Sequence, residues 1–188
     1  MPWWRSRCWG VPHLILEPGW LKQPQLLLEF CEAQSGWGQR PALLSVVPTQ
    51  LGRLLADPSG IDWLQRFSVV WVGGAALPAV MADQARQAGI RLAPCYGATE
   101  TAAMVAALPP ERFLQGDASC GAPLMDVALR LAADGALEVK TSRLAIACWR
   151  PEQPQQLQGL SDASGWWRSG DRAVLEGGLH ILGRLDGA

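Results

Sequence analysis

Between Gln23 and Phe30 the apolar residues Leu26, Leu27, Leu28 and Phe30 suit a short helix, with Pro24 in its first turn and Glu29 and Glu32 on the polar face. Pro41 to Val47 then reads as a buried strand that ends at Pro48. A second helix follows, with Thr49 as the expected N-cap and Leu51, Leu54 and Leu55 on one face, and Asp57-Pro58 stops it. Ser68 to Val72 is an apolar, β-branched run closed by Gly73-Gly74, the profile of an internal parallel strand. Pro78 opens another helix that runs through Ala88, and Gly89 stands where a C-terminal glycine belongs. The strand Ile90 to Ala93 then leads into Tyr96-Gly97-Ala98-Thr99-Glu100-Thr101, a small-residue stretch read as a turn. Strand and helix alternate here as in an α/β, mostly parallel sheet with flanking helices, whose ligand sites lie at the carboxyl ends of the strands.

The pattern changes after Pro109-Pro110. Val127 to Leu131 and Leu137 to Lys140 flank the turn Asp134-Gly135, and Ala173 to Leu175 and Leu179 to Leu182 flank Gly177-Gly178, so two hairpins are expected. Pro151 to Gln158, with its prolines and glutamines, reads as an exposed loop. The division expected is residues 1–120 as a partial α/β subdomain and 121–188 as a β-rich subdomain.

Composition narrows the partners. A net charge of -1 from 16 basic and 17 acidic residues, scattered along 188, leaves neither a basic stripe for nucleic acid nor a polybasic run for an anionic membrane. The run Val11 to Leu16 is short and broken by Pro12 and His13, unlike a signal peptide or a membrane span. The five cysteines are odd in number and lack C-x-x-C spacing, which argues against a disulfide framework and a zinc site and suits a reducing cytoplasm. Trp63 and Trp71 lie in apolar patterns and are expected to pack. His13 and His180 have no partner at metal-ligand spacing.

Tyr96 to Thr101 carries one phenol ring, two threonine hydroxyls and one carboxylate, and taken alone it reads as a solvated loop with a helix-capping threonine. Val47-Pro48-Thr49-Gln50, Gly73-Gly74-Ala75-Ala76-Leu77-Pro78, Tyr96 to Thr101, Trp166-Trp167-Arg168-Ser169-Gly170-Asp171 and the closing Gly183-Arg184-Leu185-Asp186 form an ordered set. From about residue 41 to the end, that set resembles the adenylate-forming, AMP-binding superfamily of acyl-CoA synthetases, luciferases and peptide-synthetase adenylation domains. Within it, Ser45 to Leu51 and the wording Gly-Gly-Ala-Ala-Leu-Pro are most similar to the 2-succinylbenzoate-CoA ligases of menaquinone and phylloquinone synthesis.

The resemblance implies a role for each motif residue. Gly73, Gly74 and Ala75 would bring backbone close to adenine, where side chains would obstruct it. Tyr96, followed by Gly97, would lie against the ring, Thr99 would hydrogen-bond the α-phosphate, and Glu100 would ligate Mg2+. Asp171 would accept from both ribose hydroxyls. Arg184 would sit near ribose and phosphate, and Asp186 would be a hinge for a small C-terminal domain. ATP, CoA and a small carboxylate are the implied substrates, the last of unspecified identity, and an oligomer is left open.

The sequence also departs from the family pattern. The phosphate loop ending in lysine and the C-terminal domain with its catalytic lysine have no counterpart here, since Lys22 and Lys140 are the only lysines and neither lies in a family motif. The chain is therefore expected to be an internal portion of a longer ligase, inactive by itself. A non-catalytic nucleotide-binding remnant, another adenylate-forming enzyme and a decayed gene product remain as alternatives.

Overall fold

Proline decides where several helices begin, because its fixed φ suits a first helical turn and its missing N–H costs nothing there. The computed structural model describes residues 2–149 and 155–187. Its helices are α1 (Pro2–Trp9), α2 (Pro24–Glu32), α3 (Pro48–Leu55), α4 (Pro58–Gln65), α5 (Ala79–Gln87) and α6 (Pro110–Leu114), with a 3-10 turn at Pro18–Lys22. Thr49 is not the cap of α3. Pro48 occupies the first turn, Val47 caps, and the Val47 N–H donates to the Gln50 side chain at 3.0 Å. The sequence pattern gave no sign of α4, which follows Asp57-Pro58 directly, the Asp57 carboxylate accepting from the Ser59 N–H at 2.8 Å.

The strands of the first sheet are β1 (Leu43–Val46), β2 (Val69–Val72), β3 (Leu92–Ala98), β4 (Ala103–Ala107) and β5 (Ala122–Pro123), hydrogen-bonded in that order. β1, β2 and β3 are mutually parallel, while β4 and β5 join antiparallel. β1 is not a buried strand. It lies at the sheet edge, where Leu43 is 43% exposed. The stretch from Tyr96 corrects a second expectation: β3 continues to Ala98, and only Thr99–Thr101 turns, as a 3-10 element. Trp63, Leu51, Leu54, Leu64, Val70, Ile90, Leu92 and Phe113 are buried among the helices and this sheet, and Trp63 meets Phe67 edge-on with ring centroids 4.8 Å apart. Trp71 is half-buried.

The second sheet runs β11-β10-β7-β6, antiparallel throughout, from β6 (Val127–Leu131), β7 (Ala136–Thr141), β10 (Trp167–Val174) and β11 (His180–Arg184). Both expected hairpins are present. β8 (Ala147–Cys148) and β9 (Gln158–Gly159) form a separate two-stranded pair. The first part of the loop expected over Pro151 to Gln158 lies outside the described residues, and 155–157 are exposed. Val105 and Ala106 of β4 pack with Val127, Leu137, Val139, Ala173 and Leu179 in a second core. β4 thus belongs to the first sheet by hydrogen bonds and to the second core by side chains. That double membership brings the end of β3 against β10.

Candidate functional site

At this seam Tyr96 packs on the second core while its hydroxyl donates to Asp171 Oδ2 at 2.5 Å, a bond across 75 positions. The strands explain both ends of it. A register shift separates Tyr96 from Gly97 in the β3–β4 ladder, and Gly97 lies so close to β4 that a Cβ there would stand 2.3 Å from the Ala103 carbonyl oxygen. On β10, Asp171 pairs with Arg184 of β11 just before another register shift, and its N–H donates to the hydroxyl of buried Ser169 at 3.2 Å.

Electrostatics follows from this packing. Burial pushes the Tyr96 phenol well above the ordinary tyrosine value, and the hydrogen bond to Asp171 and the charges of Asp171 and Glu100 push it further. Tyr96 therefore stays a neutral donor, and the field of Glu100 reaches the same phenol as that of Asp171. Arg184 Nη1 stands 3.8 Å from Asp171 Oδ1, and Arg184 donates to Asp186 through Nε at 3.1 Å and Nη2 at 2.7 Å. The guanidinium lies over Gly170, where a Cβ would meet it at 2.8 Å, so a side chain at 170 would displace the arginine.

The Gly73 turn follows β2 and abuts Cys95, the residue before Tyr96: a Cβ at Gly73 would come within 2.9 Å of the Cys95 sulfur. Gly74 has φ +83, and Gly74 and Ala75 are exposed, so backbone faces solvent at this turn. Thr99 is exposed and Glu100 half-buried, and Glu100 has no ion-pair partner among the described residues. The structure thus gathers Tyr96, Asp171, Arg184 and Asp186 in direct contact, with Gly73 and Glu100 adjoining.

Two supporting residues lie inside the motifs without a role that the resemblance implies: Ser169, and Thr101, whose buried hydroxyl accepts from the Ala98 N–H at 3.0 Å. A third, Arg143, had no local signal. Among the described residues no group of three or more His, Cys, Asp or Glu side chains could hold a metal ion. One carboxylate at Glu100 suits a Mg2+ that arrives on phosphate and keeps its waters, and does not suit a dedicated protein cage.

An α/β sheet with an exposed backbone turn and a tyrosine at its strand ends, the phenol bonded to a carboxylate that a guanidinium approaches, places the chain in the class of α/β proteins whose ligand site lies at the strand ends. Residues 6–142 match the AMP-binding enzyme family, and the chain belongs to it. It is similar to the 2-succinylbenzoate-CoA ligase of Escherichia coli K12, 36% identical over 143 residues that make up 76% of this chain and 29% of that enzyme. The corresponding ligase of Listeria monocytogenes is 32% identical over 182 residues, 96% of this chain and 36% of the relative. The chain therefore spans about a third of the length of these relatives. Among solved structures, wild-type E. coli MenE with a bound phenylether-linked analogue of OSB-AMS superposes with a TM-score of 0.64 at 32% identity, over 82% of this chain and 33% of that one. Bacillus subtilis MenE in complex with the acyl-adenylate intermediate OSB-AMP gives a TM-score of 0.74 over 97% of this chain and 37% of that one. Its identity is 21%, which speaks to the fold alone.

Proposed function

We propose that this chain is the nucleotide-binding portion of an AMP-forming acyl-CoA ligase acting on 2-succinylbenzoate in menaquinone synthesis. The observation that carries the reading is the Tyr96–Asp171 hydrogen bond, which joins two separate motifs at one surface. In such a ligase the substrate carboxylate attacks the α-phosphorus of ATP and pyrophosphate leaves. The CoA thiol then attacks the acyl carbon, AMP departs, and a thioester remains. Adenylation is needed because a carboxylate is a poor electrophile and AMP a good leaving group.

In this reading the Gly73–Ala75 backbone and the Tyr96 ring, with Gly97 keeping the strands close, bracket the adenine. Asp171 spends part of one oxygen on Tyr96 and keeps lone pairs on both for the ribose hydroxyls. Arg184, tethered to Asp186, supplies positive charge near ribose and phosphate, and Thr99 donates to the α-phosphate. Mg2+, held in part by Glu100, would neutralise phosphate charge when bound. Residues 1–120 provide the adenine side and 121–188 the ribose side and the approach to a hinge at Asp186. Two structures of B. subtilis MenE, which shares this fold, hold AMP and ATP with a magnesium ion, and the substrates proposed here are of that kind. Among the described residues no helix is long and apolar enough to cross a membrane.

The test is a chimera in which residues 41–187 replace the matching segment of the E. coli relative, assayed for pyrophosphate release from ATP with 2-succinylbenzoate. Turnover is expected, with nucleotide use that Asp171→Ala weakens by about 1–3 kcal/mol. A chimera that binds AMP yet releases no pyrophosphate would leave a nucleotide-binding module and remove the ligase reading.

A further inference from the structure

We propose that Arg143 is a positioning residue: from 42 positions away it clasps the Thr99–Thr101 turn, holding the backbone that presents Thr99 and Glu100 to phosphate and magnesium. The proposal rests on the reading of that turn given above and adds to it a residue outside every recognised motif.

The turn is short and held in a demanding shape. Thr99–Thr101 makes a single 3-10 turn, and Ala102, which ends it, has φ +57 without being glycine. Inside the turn the Thr101 hydroxyl accepts from the Ala98 N–H at 3.0 Å and faces the carbonyls of Ala98 at 2.9 Å and Ala103 at 2.7 Å. The next carbonyls are satisfied from elsewhere. Glu100 C=O accepts the Ala145 N–H at 2.8 Å, and Thr101 C=O accepts Arg143 Nη1 at 3.1 Å. Arg143 Nη2 donates to the Met104 carbonyl at 3.3 Å, so one guanidinium brackets the left-handed residue from both sides.

The clasp is anchored at its other end. Asp126 accepts Arg143 Nε at 2.6 Å and Nη2 at 3.4 Å, and it also accepts the Thr141 hydroxyl at 3.0 Å. The Arg143 N–H donates to that same hydroxyl at 3.3 Å. Four acceptor atoms in three directions suit a planar fork of five donors. An ammonium on a flexible stem cannot reproduce that arrangement. Magnesium demands near-ideal octahedral distances, so looseness in the turn should be felt by bound phosphate and metal more than by adenine or ribose.

The test uses the 188-residue chain with two probes, Mg-ATP and adenosine, the second lacking every phosphate. Arg143→Ala and Arg143→Lys are each expected to weaken Mg-ATP binding roughly 10- to 100-fold, the usual effect of removing a residue that orients a metal ligand. Adenosine affinity should hold in both. Arg66→Ala, which removes a surface partner of Glu32, should change neither. Amide hydrogen exchange supplies a readout that needs no ligand: the Ala102 and Ala145 N–H groups, bonded to the Thr99 and Glu100 carbonyls, should exchange faster in both Arg143 variants. Unchanged exchange, equal losses for adenosine and Mg-ATP, or full rescue by lysine would each overturn the proposal. If the wild-type chain binds neither probe, the nucleotide reading fails, and exchange at Ala102 and Ala145 still decides whether Arg143 holds the turn.

Discussion

The core around Trp63 and the smaller one around Leu137 hold this chain by different means. In the first, large side chains from α3, α4, β2, β3 and α6 are removed from water almost entirely, and ion pairs such as Arg66–Glu32 lie on the surface. In the second, the buried residues are fewer and smaller, and bonds of high sequence separation join its elements: Tyr96 to Asp171, and Arg143 to Thr101 and Met104. Burial is non-directional, whereas hydrogen bonds to a charged group fix distance and angle. The first core should therefore govern how stable the chain is, and the second where the site residues stand.

The largest expected effect breaks the comparison at the first core. Trp63→Ala removes a side chain that is 1% exposed, together with its edge-on contact to Phe67, and should cost about 3–5 kcal/mol in urea unfolding. AMP affinity of the molecules that stay folded should be nearly unchanged. A parallel loss of affinity would show that the two cores are not separable.

A smaller effect belongs to the seam. Tyr96→Phe deletes the donor to Asp171 and should cost about 1.5–3 kcal/mol at neutral pH, the range for hydrogen bonds to charged groups. The pH dependence has a definite sign. The folded phenol ionises above the ordinary value of 10.0, so above that pH the unfolded chain has lost a proton that the folded chain still holds. Tyr96's contribution is full below pH 10.0 and falls as pH rises further, by at most about 1.4 kcal/mol per pH unit. Tyr96→Phe should lack that component. Tyr96 is the single tyrosine of the chain, so the ultraviolet absorbance of tyrosinate reports this site alone. A midpoint at the ordinary value in the folded protein would contradict a half-buried phenol bonded to Asp171.

The same contrast explains what could be read from sequence. Periodicity located α2, α5, β2 and both hairpins, because burial on one face leaves a spacing in the chain. It missed α4, where Trp63 and Leu64 sit behind a proline that also reads as a stop, and it made β1 a buried strand although an edge position leaves Leu43 in water. Thr49 gave way to Val47 as a cap because proline at the first turn moved the helix start. Tyr96, Asp171 and Arg184 were legible as motif wording, and the structure shows them in contact. Arg143 and Ser169 were not, since what they do depends on partners that only the folded chain supplies.

The central claim is that Tyr96 and Asp171 form one wall of a nucleotide site, and calorimetric titration of the 188-residue chain with AMP tests it most directly. Glu111, an exposed carboxylate paired with Arg91 outside every motif, is the control. Asp171→Ala should weaken AMP binding by about 1–3 kcal/mol, because ribose hydroxyls would lose their acceptor in a half-buried site, while Glu111→Ala should bind as the wild type does. Equal affinities for wild type, Asp171→Ala and Glu111→Ala would contradict the account.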